Sequence, residues 1–283
     1  MVRRHELSDG EWDVLSGLLP RTETGRPRRD DRVMLNGIVW KLRTGSAWRD
    51  VPERYGPWRT LYTRFRRWAL DGTFTRMLET VQARKDAAGD IDWLVSVDST
   101  ITRAHQHAAG ARKKGQSPQR RHTNHALGRS RGGLTTKIHL ACDGRGRPLG
   151  FLLTGGNIND CTQLEQVLAQ IKVARQGPGR PRTRPDHLLG DKGYSSWKIR
   201  NYLRRRGIPH TTPERADQRT NRRRRGSSGG RPPAFDTERY KQRNVVERCF
   251  NALKQYRATA TRYDKTRESY EAVLTIASLL MWI

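Results

Sequence analysis

Four polar residues near the carboxyl end of the chain are spaced so that a helix would carry them on one face. They occur in the stretch YKQRNVVERCFNALK and are Tyr240, Arg243, Glu247 and Lys254. At about 100° per residue, their positions fall within a sector of about 60°. Beside this sector runs an apolar stripe of Val246, Phe250 and Leu253. The pattern predicts a helix that packs on a core and holds one carboxylate among cations at its edge.

A purely structural alternative explains only two of these residues. Arg243 and Glu247 are four positions apart, so they could form an ordinary surface ion pair on a helix. That alternative leaves Tyr240 and Lys254 on the same face unexplained.

Two aspartates follow apolar stretches that are predicted to be β-strands. Asp98 follows LVSV, and Asp191 follows LLG and begins the sequence DKGY. In open α/β sheets, active sites collect at the carboxyl ends of the strands, so both carboxylates are candidates for catalysis. An aspartate that caps a turn or a helix is common at the same place, and neither residue decides between the two interpretations by itself. A helix packed on the sheet would turn Glu247 toward these strand ends.

The composition predicts a polyanionic partner. Among 283 residues, 56 Lys and Arg stand against 28 Asp and Glu, which gives a formal net charge of +28. Such a surplus opposes compaction and favours binding to nucleic acid. An anionic membrane is the alternative, but no apolar run approaches the length of a spanning helix, so we expect no membrane partner. Three scattered cysteines predict a reducing compartment without a disulfide framework.

Residues 1–88 are predicted to form a small all-α domain that resembles a helix-turn-helix arrangement. Apolar residues recur at helical spacing in DDRVMLNGIVWKLRTG and in GPWRTLYTRFRRWALDG. The second stretch also carries four arginines that are predicted to bind DNA: Arg59, Arg64, Arg66 and Arg67. For each of them, a solvated position on a core-packed helix is the alternative.

Residues 91–283 are predicted to form an α/β domain. Strand-like and helix-like segments follow the order β-β-β-α-β-α-β-α, which is typical of a mixed sheet flanked by helices. Two basic segments, at about 103–133 and 214–234, interrupt this order, and their composition predicts mobile loops or arms that track DNA. Charge supports the division, because residues 91–283 carry 38 Lys and Arg and 15 Asp and Glu, against 18 and 13 in residues 1–90.

Three motifs together resemble a known enzyme family. The spacing Tyr240-x2-Arg243-x3-Glu247-x6-Lys254 resembles the Y(2)R(3)E(6)K signature of DDE transposases encoded by bacterial insertion sequences. VDST, which contains Asp98, and DKGY lie where that family has its first and second acidic motifs. LSDGEWDVLSGLLP and GRSRGGLTTKIHL further resemble the IS5-type group, so the resemblance covers nearly the whole chain. It implies an RNase H-like catalytic domain.

The resemblance also implies the chemistry. Asp98, Asp191 and Glu247 would be the catalytic residues and would hold two Mg²⁺ ions, for which Mn²⁺ can substitute, with Asp98 bridging both. The reaction would be cleavage at the ends of the element, followed by transfer of the 3′-OH to target DNA. Further DNA contacts are expected from Arg131, Tyr240, Arg243 and Lys254.

The implied partner is double-stranded DNA, which includes the terminal inverted repeats of the element and the target. A homodimer or higher oligomer on DNA is expected, in the bacterial cytoplasm at the nucleoid. Two alternatives from other classes stay open, namely a metal-dependent RNase H-like nuclease and a catalytically inactive DNA-binding regulator.

A histidine group invites a zinc hypothesis. It comprises His105, His107, His122 and His125 in a segment rich in Gly and Arg. Neither cysteine nor carboxylate ligands stand beside these residues, unlike in structural zinc sites, so we do not expect zinc. His139 in the predicted strand TKIHL is expected in the core or behind the site.

Overall fold

The computed structural model of the protein describes residues 3–20, 30–109 and 125–283. The N-terminal part is helical, as predicted, and contains α1 (Asp9–Ser16), α2 (Asp31–Thr44), α3 (Trp58–Leu70) and α4 (Thr73–Ala87). Local chemistry sets the helix ends. Ser8 caps α1 in a reciprocal pair with Glu11, and Gly45 ends α2 in the left-handed conformation at φ 69°.

The path between these helices differs from that of a helix-turn-helix motif. Residues 45–57, with two short 3-10 turns, join α2 to α3, whereas the motif uses a turn of about three or four residues. The arginine-rich α3 is also not the last helix of this region, because α4 follows it. Apolar periodicity predicts where a helix forms but carries no information about how neighbouring helices are connected.

The second part is built on a mixed sheet that has seven strands among the described residues. They are β1 (Leu94–Ala104), β2 (Gly128–Ser130), β3 (Gly133–Cys142), β4 (Pro148–Gly155), β5 (His187–Gly190), β6 (His210–Thr211) and β7 (Thr261–Arg262). The main strands lie side by side in the order β4-β3-β1-β5-β6. The first three are antiparallel, and β5 and β6 continue parallel to β1. This order confirms the predicted RNase H-like α/β class.

The described residues contain eight further α-helices. They are α5 (Gln106–Ala109), α6 (Leu164–Ala169), α7 (Trp197–Arg205), α8 (Ala216–Arg224), α9 (Thr237–Lys241), α10 (Val245–Gln255), α11 (Arg257–Ala260) and α12 (Arg267–Leu280). No helix in the described ranges is long and apolar enough to cross a membrane.

The polar helix predicted over residues 240–254 is interrupted. A 3-10 turn at Gln242–Asn244 separates α9 from α10, so Tyr240 and Glu247 lie on different helices. The neighbouring apolar stripe is buried on α10, as predicted. The common 60° sector therefore does not describe a single helix.

The two basic segments contain regular structure where the sequence predicts loops. In the first, β1 extends to Ala104, and β2 pairs with β3; residues 110–124 lie outside the described ranges. In the second, α8 forms because Arg is a good helix former and because Arg222 makes two bonds to Glu214, at 3.0 and 2.8 Å. Gln218 of α8 also bonds to Ser195, which fastens the helix to the turn after β5.

The helical region and the sheet share one buried core. α12 packs against both α3 and α4, and Trp68, Phe74 and Tyr270 belong to the same apolar cluster. Arg66 reinforces this contact by donating to the hydroxyls of Thr266 and Ser269, at 3.1 and 2.7 Å. The two parts of the chain therefore depend on each other for burial.

Candidate active site

Asp98 and Asp191 lie on neighbouring parallel strands at the point where the pairing ends. β1 and β5 are in register up to Val97 and Gly190, so an aspartate comes next on each strand. Contrary to prediction, Asp98 does not end its strand, because β3 pairs with β1 as far as Arg103. The carboxyl end of β5 nevertheless brings the two carboxylates to the same edge.

The turn after β5 fixes Asp191. Its carboxylate Oδ1 accepts a hydrogen bond from the amide of Gly193 at 2.8 Å, which caps the short 3-10 turn at Lys192–Tyr194. The phenol of Tyr194 is buried behind this turn. Burial raises the pKa of Tyr194, and the nearby charges of Asp98 and Asp191 raise it further. A neutral hydroxyl thus stands close to both carboxylates.

Arg243 connects Glu247 to the sheet. Its Nη1 donates to Asp98 Oδ2 at 3.2 Å, and its Nη2 donates to Glu247 Oε1 at 2.5 Å. The ion pair between Arg243 and Glu247 that the spacing suggests is therefore present, but Arg243 also binds Asp98. We call Asp98, Asp191 and Glu247, together with Arg243, the acid site.

The surroundings of Asp98 disfavour its negative charge. Burial raises the pKa of the Asp98 carboxyl, and the charge of Asp191 acts in the same direction. The amide of Ser99, at 2.8 Å, and the Arg243 guanidinium oppose this rise. A partly desolvated carboxylate next to a second one is a place where additional positive charge is favourable.

Lys254 and Tyr240 flank the acid site. Lys254 Nζ donates to Thr100 Oγ1 at 2.7 Å, and Thr100 lies on the same face of β1 as Asp98 because side chains alternate along a strand. The ring of Tyr240 is 5.9 Å from the Arg243 guanidinium and 5.1 Å from the ring of Phe235. Arg243 and Lys254 therefore both bond to β1, Tyr240 lies beside Arg243, and two helices and a turn carry these residues.

The donor set of the acid site suits a hard divalent cation. All three acids offer carboxylate oxygens, the ligands that Mg²⁺ prefers. Arg243 lies between Asp98 and Glu247, and the described residues contain no group of three or more His, Cys, Asp or Glu side chains arranged to hold a metal. The residues therefore fit such an ion by their chemistry once the guanidinium has moved out of the gap.

A fourth carboxylate, Asp160, lies near the acid site without any motif that indicates it. Its charge acts on Tyr194 together with those of Asp98 and Asp191. Asp160 pairs with Lys137 Nζ at 3.0 Å, a contact made by the packing of β3 against the loop after β4. The preceding residue, Asn159, caps the short 3-10 turn that follows by accepting a hydrogen bond from the Cys161 amide at 2.9 Å.

His139 is buried beside this pair, in agreement with its expected place in the core or behind the site. Its Nε2 is hydrogen-bonded with Thr154 Oγ1 at 2.8 Å. Burial lowers the pKa of His139 to about 4, so its imidazole is neutral at physiological pH.

The arginines predicted to bind DNA have different surroundings. Arg64 pairs with Asp31 at 2.8 Å, and Arg66 is bonded to the start of α12. Arg59 and Arg67 are exposed on α3, and Arg131 is exposed in the turn between β2 and β3. DNA contact by these five residues stays a prediction.

Two of the three described histidines of the group His105, His107, His122 and His125 make aromatic contacts. The ring of His105 is 4.5 Å from that of His107 and 4.8 Å from that of Tyr263. His122 lies outside the described residues.

Family models match two consecutive parts of the chain. Residues 7–78 match a model for transposases of the IS4/5 family, and residues 90–282 match the transposase DDE domain. The second match spans more than half of the chain. The chain belongs to the DDE transposases. This confirms the resemblance seen in the motifs, and it assigns DNA and a divalent metal to the transposase in general terms.

Individual relatives agree with this family. A protein named y4sN of Sinorhizobium fredii (strain NBRC 101917 / NGR234) is 43% identical over 117 residues, which cover 40% of this chain and 90% of the relative. The protein assigned as the transposase for insertion sequence element IS402 of Burkholderia cepacia is 34% identical over 146 residues, 52% of this chain and 62% of that protein. The corresponding protein for IS6501 of Brucella ovis is 29% identical over 150 residues, 53% of this chain and 99% of its own length.

One solved structure is also similar, the Mos1 transposase paired-end complex with left transposon end. It has a TM-score of 0.26 and 12% sequence identity, and the alignment covers 86% of this chain and 83% of that one.

Proposed function

We propose that this transposase cuts DNA at the terminal inverted repeats of an insertion sequence and joins the freed 3′-OH to target DNA. The observation that carries the proposal is the convergence of Asp98, Asp191 and Glu247 from two strands and a helix. An ordinary surface ion pair joins two charges, whereas here one guanidinium is shared by two carboxylates and a third lies on the adjoining strand. Such a concentration of acids around a half-buried carboxylate is typical of a functional site.

Asp98, Asp191 and Glu247 would hold the divalent cofactor, as two Mg²⁺ ions or Mn²⁺ in their place. When bound, such ions activate water and stabilise the attacking and leaving oxygens of a displacement at phosphorus. Arg243 would leave the gap between Asp98 and Glu247 and turn its two N–H donors toward a DNA phosphate, for which the guanidinium has matching geometry. Entry of DNA would thereby free the carboxylates for the cofactor.

The chain would carry out two displacements at phosphorus. In the first, water breaks one phosphodiester and leaves a 3′-OH on the element and a 5′-phosphate on the flank. In the second, that hydroxyl forms a new phosphodiester with target DNA and displaces the 3′-oxygen of the broken target bond. Lys254 and Arg243 would hold the backbone near the scissile bond, and Tyr240 would contact the neighbouring nucleotide.

The remaining contacts concern the length of DNA beyond the cut. The exposed Arg59, Arg67 and Arg131 would hold the duplex of the terminal repeat. Arg64 and Arg66 would join them to the extent that DNA draws these two from their present contacts. Bringing two ends of an element together calls for two active sites, so the proposed working state is a homodimer or a higher oligomer at the bacterial nucleoid.

The test is cleavage and joining of the element's own flanking ends. A labelled duplex that carries one terminal repeat is incubated with Mg²⁺, Mn²⁺ or a chelator in the presence of an unlabelled plasmid. We expect metal-dependent cleavage and transfer of the label to the plasmid. Cleavage without transfer would instead identify a nuclease, and retarded migration without cleavage would identify a regulator.

A second experiment measures binding of the metal ion through the thermal stability of the protein rather than through catalysis. A ligand that binds only the folded chain stabilises it by about 2.7 kcal/mol at one hundred times its Kd. We expect Mn²⁺ to raise the melting temperature of the chain bound to a terminal repeat and to do so less for Asp98→Asn. An equal rise in both proteins would place the bound ion elsewhere.

A further inference from the structure

A cleft at the start of α7 combines an exposed tryptophan with several cations. All eight tryptophans lie within the described ranges, and only Trp197 is exposed, with 78% of its surface accessible. Its indole borders a cleft of about 330 Å³, which is large enough for a small ligand. The lining comprises mainly Trp197, Arg200, Arg204, His210, Arg231 and Pro233. We call it the Trp197 cleft.

The described residues that line the Trp197 cleft include three arginines and no acid. Among the described residues, Arg200, Arg204 and Arg231 form no ion pair, whereas Arg222 nearby is bound to Glu214 at 2.8 Å. Glu214 is also the acid whose charge reaches Arg200, so its carboxylate is already engaged. Guanidinium groups that share a cleft repel one another until an anion joins them.

Arg200 is held in position before any ligand binds. Its Nη2 donates to Ser195 Oγ at 2.8 Å and to the carbonyl of Thr212 at 3.1 Å. One cation of the cleft is thus fixed by the turn that follows β5, while Arg204 and Arg231 are exposed and free to reach a ligand. A cleft with one fixed cation and two adaptable ones suits a flexible polyanion.

An exposed indole and free guanidinium groups together match one class of ligand. An unpaired nucleotide offers a base that stacks on an aromatic ring and phosphates that bind arginine. Bases inside a duplex are stacked on each other and cannot reach the indole. A second copy of this chain is disfavoured as an occupant, because the cleft is cationic and the chain itself carries a net charge of +28.

The Trp197 cleft is close to the acid site along the chain. Trp197 is six positions after Asp191, so their Cα atoms are at most about 22 Å apart even if the segment were fully extended. One DNA strand advances about 3.4 Å per nucleotide. A strand that passes through the acid site would therefore reach the indole within about six nucleotides.

We infer that the Trp197 cleft binds an unpaired base and its phosphates, on a DNA strand that passes through the acid site. The position relative to the cut rests on the proposed function, whereas the affinity of the cleft for single-stranded DNA does not. Unpaired nucleotides next to a cut end are the ligand, and the cleft holds them away from the duplex.

The first experiment measures the affinity of the full-length protein for a labelled single strand and for a blunt duplex of the same sequence. Trp197→Ala is expected to weaken single-strand binding about 5- to 150-fold, since base stacking on an aromatic side chain has that value. Trp197→Phe retains a stacking surface and is expected to restore most of the affinity. Blunt-duplex affinity is expected to stay the same in all variants.

Lys198→Ala is the matched control. It removes one cation from the same turn of α7, but Lys198 does not line the cleft and lies 3.9 Å from Glu165. We expect single-strand affinity close to that of the wild type. An equal loss in Lys198→Ala and Trp197→Ala would indicate general electrostatic attraction and would overturn the inference.

The second experiment locates the base. The fluorescent base 2-aminopurine is placed at successive positions of an unpaired strand extending from an element end. We expect quenching within about six nucleotides of the cut in the wild type, and its loss in Trp197→Ala. Uniform quenching along the strand would contradict the assigned position.

The outcomes separate this inference from the proposed function. If Trp197→Ala binds single strands like the wild type while cleavage and joining proceed, only the Trp197 cleft is refuted. A variant that changes sedimentation and leaves DNA affinity unchanged refutes it as well, in favour of an interface between copies. If the protein neither cuts nor joins DNA but loses single-strand affinity in Trp197→Ala, the cleft stands and the proposed function falls.

Discussion

The acid site and the exposed face of α3 hold charge in opposite ways. At the acid site, one guanidinium contacts two carboxylates that come from a strand and a helix, and a third carboxylate lies alongside. On α3, Arg59 and Arg67 are exposed and form no ion pair within the described ranges. Compensated charges fix a geometry, whereas exposed like charges attract a polyanion without reading its sequence. The comparison indicates chemistry at the first region and attachment at the second.

Neighbouring arginines on α3 show that this contrast is not a matter of sequence composition. Arg66 and Arg67 are adjacent, yet Arg66 is bonded to α12 and Arg67 is exposed. Arg64, one turn before, pairs with Asp31. A helix that reads as uniformly basic therefore divides into arginines that hold the protein together and arginines that face solvent.

The largest expected effect is the loss of chemistry at the acid site. Asp98→Asn, Asp191→Asn and Glu247→Gln keep the shape of each side chain but remove its charge. Loss of a residue that merely supports a metal ligand costs about 10- to 100-fold, so loss of a ligand should lower the cleavage rate more than about 100-fold. Rates of metal-dependent cleavage are measured alongside DNA affinity, which should change little.

The control for these variants is Glu238→Gln. Glu238 is an exposed acid of α9 that pairs with Lys241 at 2.7 Å, outside the acid site. Its replacement removes the same charge and should leave the cleavage rate near that of the wild type. If an acid-site variant cuts DNA as fast as this control, the replaced residue is not a catalytic residue.

The next effect concerns the sheet beneath the acid site. Because the folded chain keeps His139 neutral, with its pKa lowered to about 4, this residue contributes stability above its usual pKa near 6.5. The contribution is lost as the pH falls from about 6.5 to about 4, and it amounts to roughly 3 kcal/mol. We expect His139→Gln to have a smaller decrease in the free energy of unfolding over this interval, measured with urea.

His107→Gln serves as the reference for that titration, because His107 is exposed on α5. It should show the same decrease in stability as the wild type between these pH values. Equal decreases in wild type and His139→Gln would mean that the imidazole is not held neutral by burial.

A smaller effect distinguishes the two adjacent arginines of α3. Arg66→Ala leaves the hydroxyls of Thr266 and Ser269 without their charged donor and should lower the free energy of unfolding by about 1.5–3 kcal/mol. Arg67→Ala removes an exposed side chain and should change it by less than about 0.5 kcal/mol. The free energy of unfolding of both variants is measured by chemical denaturation. Equal losses would contradict the proposed difference between a structural Arg66 and an exposed Arg67.

The smallest effect is on the salt dependence of DNA binding. Each phosphate contact that is lost should reduce the slope of log K against log salt concentration by about 0.9. The double variant Arg59→Gln, Arg67→Gln should therefore have a slope lower by about 1.8, without any change in cleavage once DNA is saturating. An unchanged slope would move the duplex contact away from α3.

Several parts of the fold follow from local patterns. The strand before Asp191 and the helices in DDRVMLNGIVWKLRTG and GPWRTLYTRFRRWALDG all have the predicted places. Local patterns fail where a tertiary contact takes over. β1 continues past Asp98 because β3 supplies partners, and residues 216–224 form a helix because Glu214 and Ser195 hold it.

The candidate site shows the same division. The spacing of Tyr240, Arg243, Glu247 and Lys254 predicts one face of a continuous α-helix, but a 3-10 turn at Gln242–Asn244 interrupts that helix. Arg243 and Lys254 nevertheless both bond to β1. Asp160 and Trp197 belong to no recognisable spacing. Their roles depend on side chains that the fold brings next to them, from the sheet for Asp160 and from α7, β6 and residues 231–234 for Trp197.

The sequence by itself determined the chemical types at the site, the family and most of the elements, because periodicity, capping and motif spacing are properties of short stretches of chain. Only the tertiary structure decided that Arg243 holds Asp98, 145 positions away, and that Arg66 holds Ser269, 203 positions away. Contacts over such separations depend on strand register and helix packing. These are set by how the whole core fills space, and no local pattern specifies them.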